Sequence, residues 1–168
     1  MDSPALLQFL DGLSIHYERH DHVAVYTSEQ AQRLIARLPG APAKNLFLRD
    51  SKGRRHFLLV FDHAKALDLR ALAGQVGVSR LSLASPERLM DRLGVEPGAV
   101  SLMALVNDPA HQVEVLIDHD IWQAEALQCH PLVNTATLVV SLEDTRKFLG
   151  ATGHAVKLVK IEGSQAAA

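Results

Sequence analysis

The sequence predicts one mixed α/β domain. The chain has 168 residues, 48% of them apolar, which is enough side chain for one hydrophobic core and too short for several domains. Apolar runs with strand spacing alternate irregularly with runs of helical spacing. At least one pair of strands is joined by a tight turn, Asp50-Ser51-Lys52-Gly53. No repeat, linker or low-complexity core segment interrupts the pattern. The expected domain therefore covers residues 1–163, with a disordered tail over 164–168.

Composition excludes several classes. The formal charge of −2 does not mark the whole chain as a nucleic-acid binder, so any RNA contact must come from a local basic patch. One cysteine excludes an internal disulfide framework and fits a reducing cytosol. No apolar run approaches membrane-spanning length. Met1-Asp2-Ser3-Pro4 does not open a signal peptide, so a cytoplasmic location is expected.

The elements follow in order. Ser3 and Pro4 read as N-cap and first position of a short helix ending at Asp11-Gly12. Ser14 to His20 alternates as a strand. Ser28 reads as the cap of a helix to about Leu38, which Pro39 and Gly40 break. The loop through Pro42 then delivers a strand, Lys44-Asn45-Leu46-Phe47-Leu48-Arg49. Its hairpin partner is Arg55 to Phe61, whose continuous apolar run predicts burial on both faces. Asp68 to Val76 is a helix with Gly77 placed to end it. Ser79 to Leu83 is a short strand. Ser85, Pro86 and Gly94 mark the cap, first position and stop of the next helix. Val113 to Asp118 is a strand, His119 to Gln123 a helical turn, Leu127 to Leu132 a strand and turn, and Thr137 to Ser141 a buried strand. Ser141 caps a helix expected to stop at Gly150, and His154 to Ile161 closes the chain as a strand.

Few residues carry obvious chemistry. His16, His20 and His22 share parity on an extended strand, but their spacing matches no metal motif, and surface or turn histidines are the simpler expectation. Cys129 and His130 are neighbours, so a strand turns them to opposite faces and no thiol–imidazole pair forms. There is no Gly-x-Ser-x-Gly elbow and no zinc-ligand signature. Lys44 opens a mostly apolar strand, where it either reaches solvent or meets an anion at the mouth of a pocket. In Gly94-Val95-Glu96-Pro97-Gly98, Pro97 fixes one turn dihedral and Gly98 permits positive φ. Arg49, Lys52, Arg54 and Arg55 surround the hairpin turn, either as a solvated tip or as a phosphate contact.

Lys44-Asn45-Leu46-Phe47-Leu48 resembles the corresponding strand of the YbaK/prolyl-tRNA synthetase-associated editing domains. The resemblance runs from about His20 to Leu149. It includes the apolar run and Thr27 ahead of a helix, the Gly-x-x-Pro-Gly loop at Gly94–Gly98, the Val106-Asn107-Asp108-Pro109 turn and the His130-Pro131 pair before Asn134. The free-standing alanyl-tRNA(Pro) deacylases are the most similar branch. The sequence departs from the family at Ser101-Leu102-Met103-Ala104-Leu105, where many members carry Ser-Pro-Phe.

The resemblance implies a mostly antiparallel, partly closed sheet flanked by helices. It implies hydrolysis of the ester of mischarged tRNA(Pro), most simply alanyl-tRNA(Pro), with prolyl-tRNA(Pro) spared. Lys44 is implied as essential, with the Gly98 and Ala99 amides polarising the ester carbonyl. Asn45, Thr27, His130 and Arg80 are implied as substrate contacts, with no metal and no cofactor. The expected partners are tRNA, with prolyl-tRNA synthetase or elongation factor as further candidates, and neither DNA nor membrane. The competing expectations are a cysteinyl-tRNA(Pro) deacylase, a non-catalytic module that binds the tRNA end, and an esterase of free small molecules.

Overall fold

Strand β3 (His56–Asp62) carries a run of five apolar residues, Phe57 to Phe61, and all five are buried. Phe57, Leu59 and Phe61 enter one apolar cluster, while Leu58 and Val60 enter another. Each such side chain contributes about 1.5–3 kcal/mol on burial, so this strand has to be central. The structure is a computed structural model that describes residues 1–24 and 28–163, the side chains of Ser28 and Ile35 excepted. The Thr27 site and the Ser28 cap fall outside what it describes.

Strand β2 (Ala43–Asp50) is the antiparallel hairpin partner of β3, in a register that runs from Ala43↔Asp62 to Arg49↔His56. Asp50 closes the turn by accepting from the backbone N–H groups of Arg54 and Arg55 at 2.9 and 3.2 Å. Strand β4 (Leu81–Leu83) pairs antiparallel with β2. On the other side of β3, strands β5 (Val113–Asp118) and β8 (Val156–Val159) add in parallel. The resulting five-stranded sheet has the order β4-β2-β3-β5-β8. Strands β1 (Tyr17–Asp21), β7 (Ala136–Ser141) and β6 (Ala126–Cys129) form a three-stranded antiparallel sheet in the order β1-β7-β6. An isolated bridge, Ala41↔Leu127, ties this sheet to the loop that enters β2. The sheet is thus mostly antiparallel as expected, but divided in two.

The main core lies between the sheets. It takes Phe47, Leu58 and Val115 from one sheet and Leu127, Leu138 and Val140 from the other. Helices α1 (Ser3–Gly12), α4 (Pro86–Leu93) and α5 (Leu142–Thr152) close it with Leu6, Leu93 and Phe148. The outer face of the large sheet is covered by α3 (Leu69–Val76), through Leu72, Ala73 and Val76. Helix α2 (Ser28–Arg37) precedes β2.

Among the boundaries that differ from the sequence expectation, three have a clear local reason. The cap of α1 is Asp2, whose carboxylate accepts from Ala5 N–H at 3.0 Å, with Ser3 already helical. The first strand starts at Tyr17, because Ser14 turns the chain with a φ of 57°. Helix α5 runs through Gly150 to keep Phe148 and Leu149 buried and ends at Gly153, whose N–H donates to Leu149 O.

Candidate active site

The loop that delivers Lys44 is held from two sides. Ala41 N–H donates to Ala126 O at 2.8 Å, and Gln128 Nε2 lies 3.2–3.5 Å from the carbonyls of Leu38, Pro39 and Gly40. Gly40 has a φ of 89°, and a Cβ there would meet Val139 Cγ1 at 3.3 Å, so a side chain would both strain the turn and push it off β7. After the hairpin, His63 N–H donates to Pro42 O at 3.0 Å. The loop beyond β3 therefore lies against the start of β2.

These contacts frame one continuous cleft. Its deeper part, a cavity of about 210 Å³, is lined by Leu34, Gln128, Cys129, Asn134 and Thr137. Its outer part is lined by Lys44, His63, Pro97 and Val100. Ala31, Ala43, Asn45, Gly98 and His130 line both parts. The structure thus brings Lys44, Asn45, Gly98 and His130 together. Lys44 is half-buried, and among the described residues no hydrogen bond or ion pair is recorded for its ammonium.

The Pro97–Ala99 segment is a single 3-10 turn. Gly98 is not in the left-handed region, contrary to expectation. Glycine is favoured there by close approach instead, since a Cβ would stand 3.3 Å from Asn134 Nδ2. Ala99 does not serve the cleft as expected: its N–H donates to Glu96 O at 2.9 Å and its side chain is buried in the core. Gly98 N–H, at the second position of the turn, has no partner within it. The departure at Ser101 is structural. Its buried hydroxyl donates to His130 O at 2.6 Å and accepts from Met103 N–H at 3.2 Å, tying this loop to His130. Leu102 to Leu105 pack in the core.

Histidine protonation in the cleft is set by burial. Burial lowers the His63 pKa, and the Lys44 cation lowers it further. Burial likewise lowers that of His130. Burial and then the Arg92 and Arg88 cations lower that of His56 under the hairpin. In the unfolded chain these rings return to about 6.5. Below that pH the unfolded state binds protons that the folded state refuses, so stability is lost as pH falls. The urea midpoint is expected to drop between pH 7.5 and pH 5.5, and equal midpoints would contradict these three environments.

Other expected residues lie elsewhere. Arg80 is exposed, just ahead of β4, which pairs with the Asp50 end of β2. That end is about 20 Å along the strand from Lys44, so Arg80 does not reach the cleft. His16, His20 and His22 do not converge, and the described residues contain no cluster of His, Cys, Asp or Glu able to hold a metal ion. His63, Asn134, Gln128, Ala31 and Leu34 were not expected in the site. Ala31 and Leu34 had a signal, since i and i+3 share a helix face.

The chain is similar to known proteins over most of its length. Residues 22–148 match the model of the aminoacyl-tRNA editing domain. The chain belongs to that family. The prolyl-tRNA editing protein ProX of Acetoanaerobium sticklandii is 38% identical over 157 residues, covering 94% of this chain and 96% of ProX. The prolyl-tRNA synthetase associated domain-containing protein 1 of Danio rerio is 34% identical, covering 89% of this chain and 82% of its own. A solved structure provisionally described as a trans-editing enzyme for prolyl-tRNA synthetase has the same fold, with a TM-score of 0.69 at 21% identity over 96% of this chain and 99% of its own. As a family member the chain is an aminoacyl-tRNA deacylase. No described helix is long and apolar enough to cross a membrane.

Proposed function

We propose that the chain removes alanine from mischarged tRNA(Pro) and spares prolyl-tRNA(Pro). The observation that carries this reading is the cleft itself: Lys44 at its mouth, Gly98 and His130 on its walls, and a small floor at Leu34, Cys129 and Thr137. The naming of the relatives for prolyl-tRNA editing supports the choice of tRNA.

The chemistry follows from what lines the cleft. An aminoacyl ester is activated, so positioning and electrostatics are enough. Burial pushes the Cys129 thiol up to about 12, so it stays protonated and is no nucleophile. Lys44 holds the phosphate or ribose side of the terminal nucleotide as a point charge. The Gly98 N–H polarises the ester carbonyl. Water attacks, oriented by the ribose hydroxyl of the substrate, a role implied by the family. Alanine is selected by size: the floor accepts a methyl group and overlaps a pyrrolidine ring. Because one methylene is worth only ~1–3 kcal/mol, seryl and glycyl esters leak through. A cytoplasmic location belongs to this reading, with prolyl-tRNA synthetase or elongation factor handing over the substrate.

The body of the tRNA meets a second surface. At the hairpin tip the guanidinium groups of Arg49 and Arg88 lie 3.1 and 2.8 Å from the point where a Gly53 Cβ would stand. Arg88 also donates to Gly53 O and to His56 Nε2, both at 3.2 Å. Among the described residues neither arginine has a carboxylate partner, and exposed Lys52 and Arg54 lie on the same turn. Such a tip suits backbone phosphates of the acceptor arm, with Arg80 beside it. Arg49→Gln is expected to raise KM for alanyl-tRNA(Pro) about tenfold with little change in kcat, and to reduce the salt slope by about 1. Steady-state rates at several salt concentrations check this.

The discriminating experiment sets alanyl-tRNA(Pro) against alanine methyl ester. Hydrolysis of the tRNA ester alone, weakening steeply with salt, is the expected result. Equal turnover of the two without salt dependence would make the chain a small-molecule esterase.

A further inference from the structure

His22, just beyond β1, fixes the polarity of a hydroxyl in the cleft. Its Nδ1 lies 2.9 Å from Val23 O. A carbonyl only accepts, so Nδ1 carries a proton, and in the neutral ring Nε2 then carries the lone pair. That Nε2 lies 2.9 Å from Thr137 Oγ1. The Thr137 hydroxyl must therefore donate to His22, and towards the cleft its oxygen can only accept. On the same wall, His130 Nδ1 lies 3.1 Å from Ala136 O and donates to it. His130 Nε2 is left as an acceptor on the cleft wall, with no hydrogen bond from another described residue.

The wall thus presents two acceptors whose own protons are turned away. Among the described residues lining the cleft there is no carboxylate, and the one ammonium, Lys44, stands at the outer mouth. A ligand group that donates several protons, and that is repelled from the mouth, fits the inner wall. The geometry points to Thr137 Oγ1 and His130 Nε2 as the seat of the substrate's α-amino group, with His22 as a positioning residue acting through Thr137. This inference rests on the proposed reading of the cleft as an aminoacyl site. The α-amino group offers a proton to each acceptor, whereas an α-hydroxyl has a single proton to offer.

The test is calorimetric binding of two non-hydrolysable adenosine 3′-amides, one carrying an alanyl group and one a lactyl group. Wild type is expected to bind the alanyl amide about tenfold more tightly. His22→Leu frees the Thr137 proton and should bring the ratio close to unity by weakening the alanyl amide alone. His22→Gln, whose carbonyl can accept from Thr137, should restore it. Thr137→Ser should keep the ratio and Thr137→Val should lose it. An unchanged ratio in His22→Leu, or equal weakening of both amides, would overturn the positioning role. Equal binding of both amides by wild type would overturn the seat while leaving the aminoacyl site in place. Binding of neither would overturn the aminoacyl reading and the seat together.

Discussion

Lys44→Ala is expected to lower the rate of aminoacyl ester hydrolysis by about 100-fold or more, the scale of removing one preorganised charge contact from a transition state. Among the described residues its ammonium makes no hydrogen bond or ion pair, so its loss leaves no polar group unpaired and the fold should be unaffected. Lys44→Arg should restore only part of the rate, because a planar fork does not replace a compact point charge. Binding of uncharged tRNA should lose about one phosphate contact in its salt slope. Single-turnover hydrolysis alongside thermal denaturation separates these effects. A Lys44→Ala protein with wild-type turnover would remove the lysine from the mechanism.

Lys65→Met is expected to destabilise the fold by about 3 kcal/mol, because it strands a buried carboxylate. Lys65 Nζ lies 2.9 Å from Asp118 Oδ2 and 2.7 Å from Asp120 Oδ2, and the Asp118 side chain is only 1% exposed. Burial pulls the Lys65 pKa down, yet its hydrogen bonds to Asp120 and Asp118 leave it raised. Asp118 also accepts from the backbone N–H groups of Asp62 and Asp120 at 3.1 and 3.2 Å. The pair thereby fixes the end of β3, from which His63 turns towards Lys44. Urea denaturation measures the loss. The double variant Lys65→Met/Asp118→Asn should recover part of it, since no buried charge is then left alone. A single variant as stable as wild type would mean that water already reaches Asp118.

Local chemistry was the legible part of this fold. The hairpin could be read because Asp50 to Gly53 is a turn sequence between two apolar runs, and α4 because Ser85, Pro86 and Gly94 occupy their cap positions. The register of that hairpin would also have placed His63 beside Pro42, since Ala43 pairs with Asp62. The parallel additions of β5 and β8 left no such mark. Their partners are distant in sequence, and a doubly buried strand carries the same apolar run whichever direction its neighbour takes. In the site, Lys44, Asn45, Gly98 and His130 were brought to one cleft. Ala99 failed because a 3-10 turn consumes its N–H, which a Pro-Gly pair does not reveal. Arg80 stands outside the cleft because its place depends on the pairing of β4 with the far end of β2.

The most direct measurement is release of labelled amino acid from alanyl-, cysteinyl-, seryl- and prolyl-tRNA(Pro) by the wild-type protein under single-turnover conditions. Fast release of alanine, slower release of serine and an intact prolyl ester are expected. Prolyl-tRNA(Pro) cleaved as fast as alanyl-tRNA(Pro), or all four esters left intact while tRNA still binds, would contradict the proposed function.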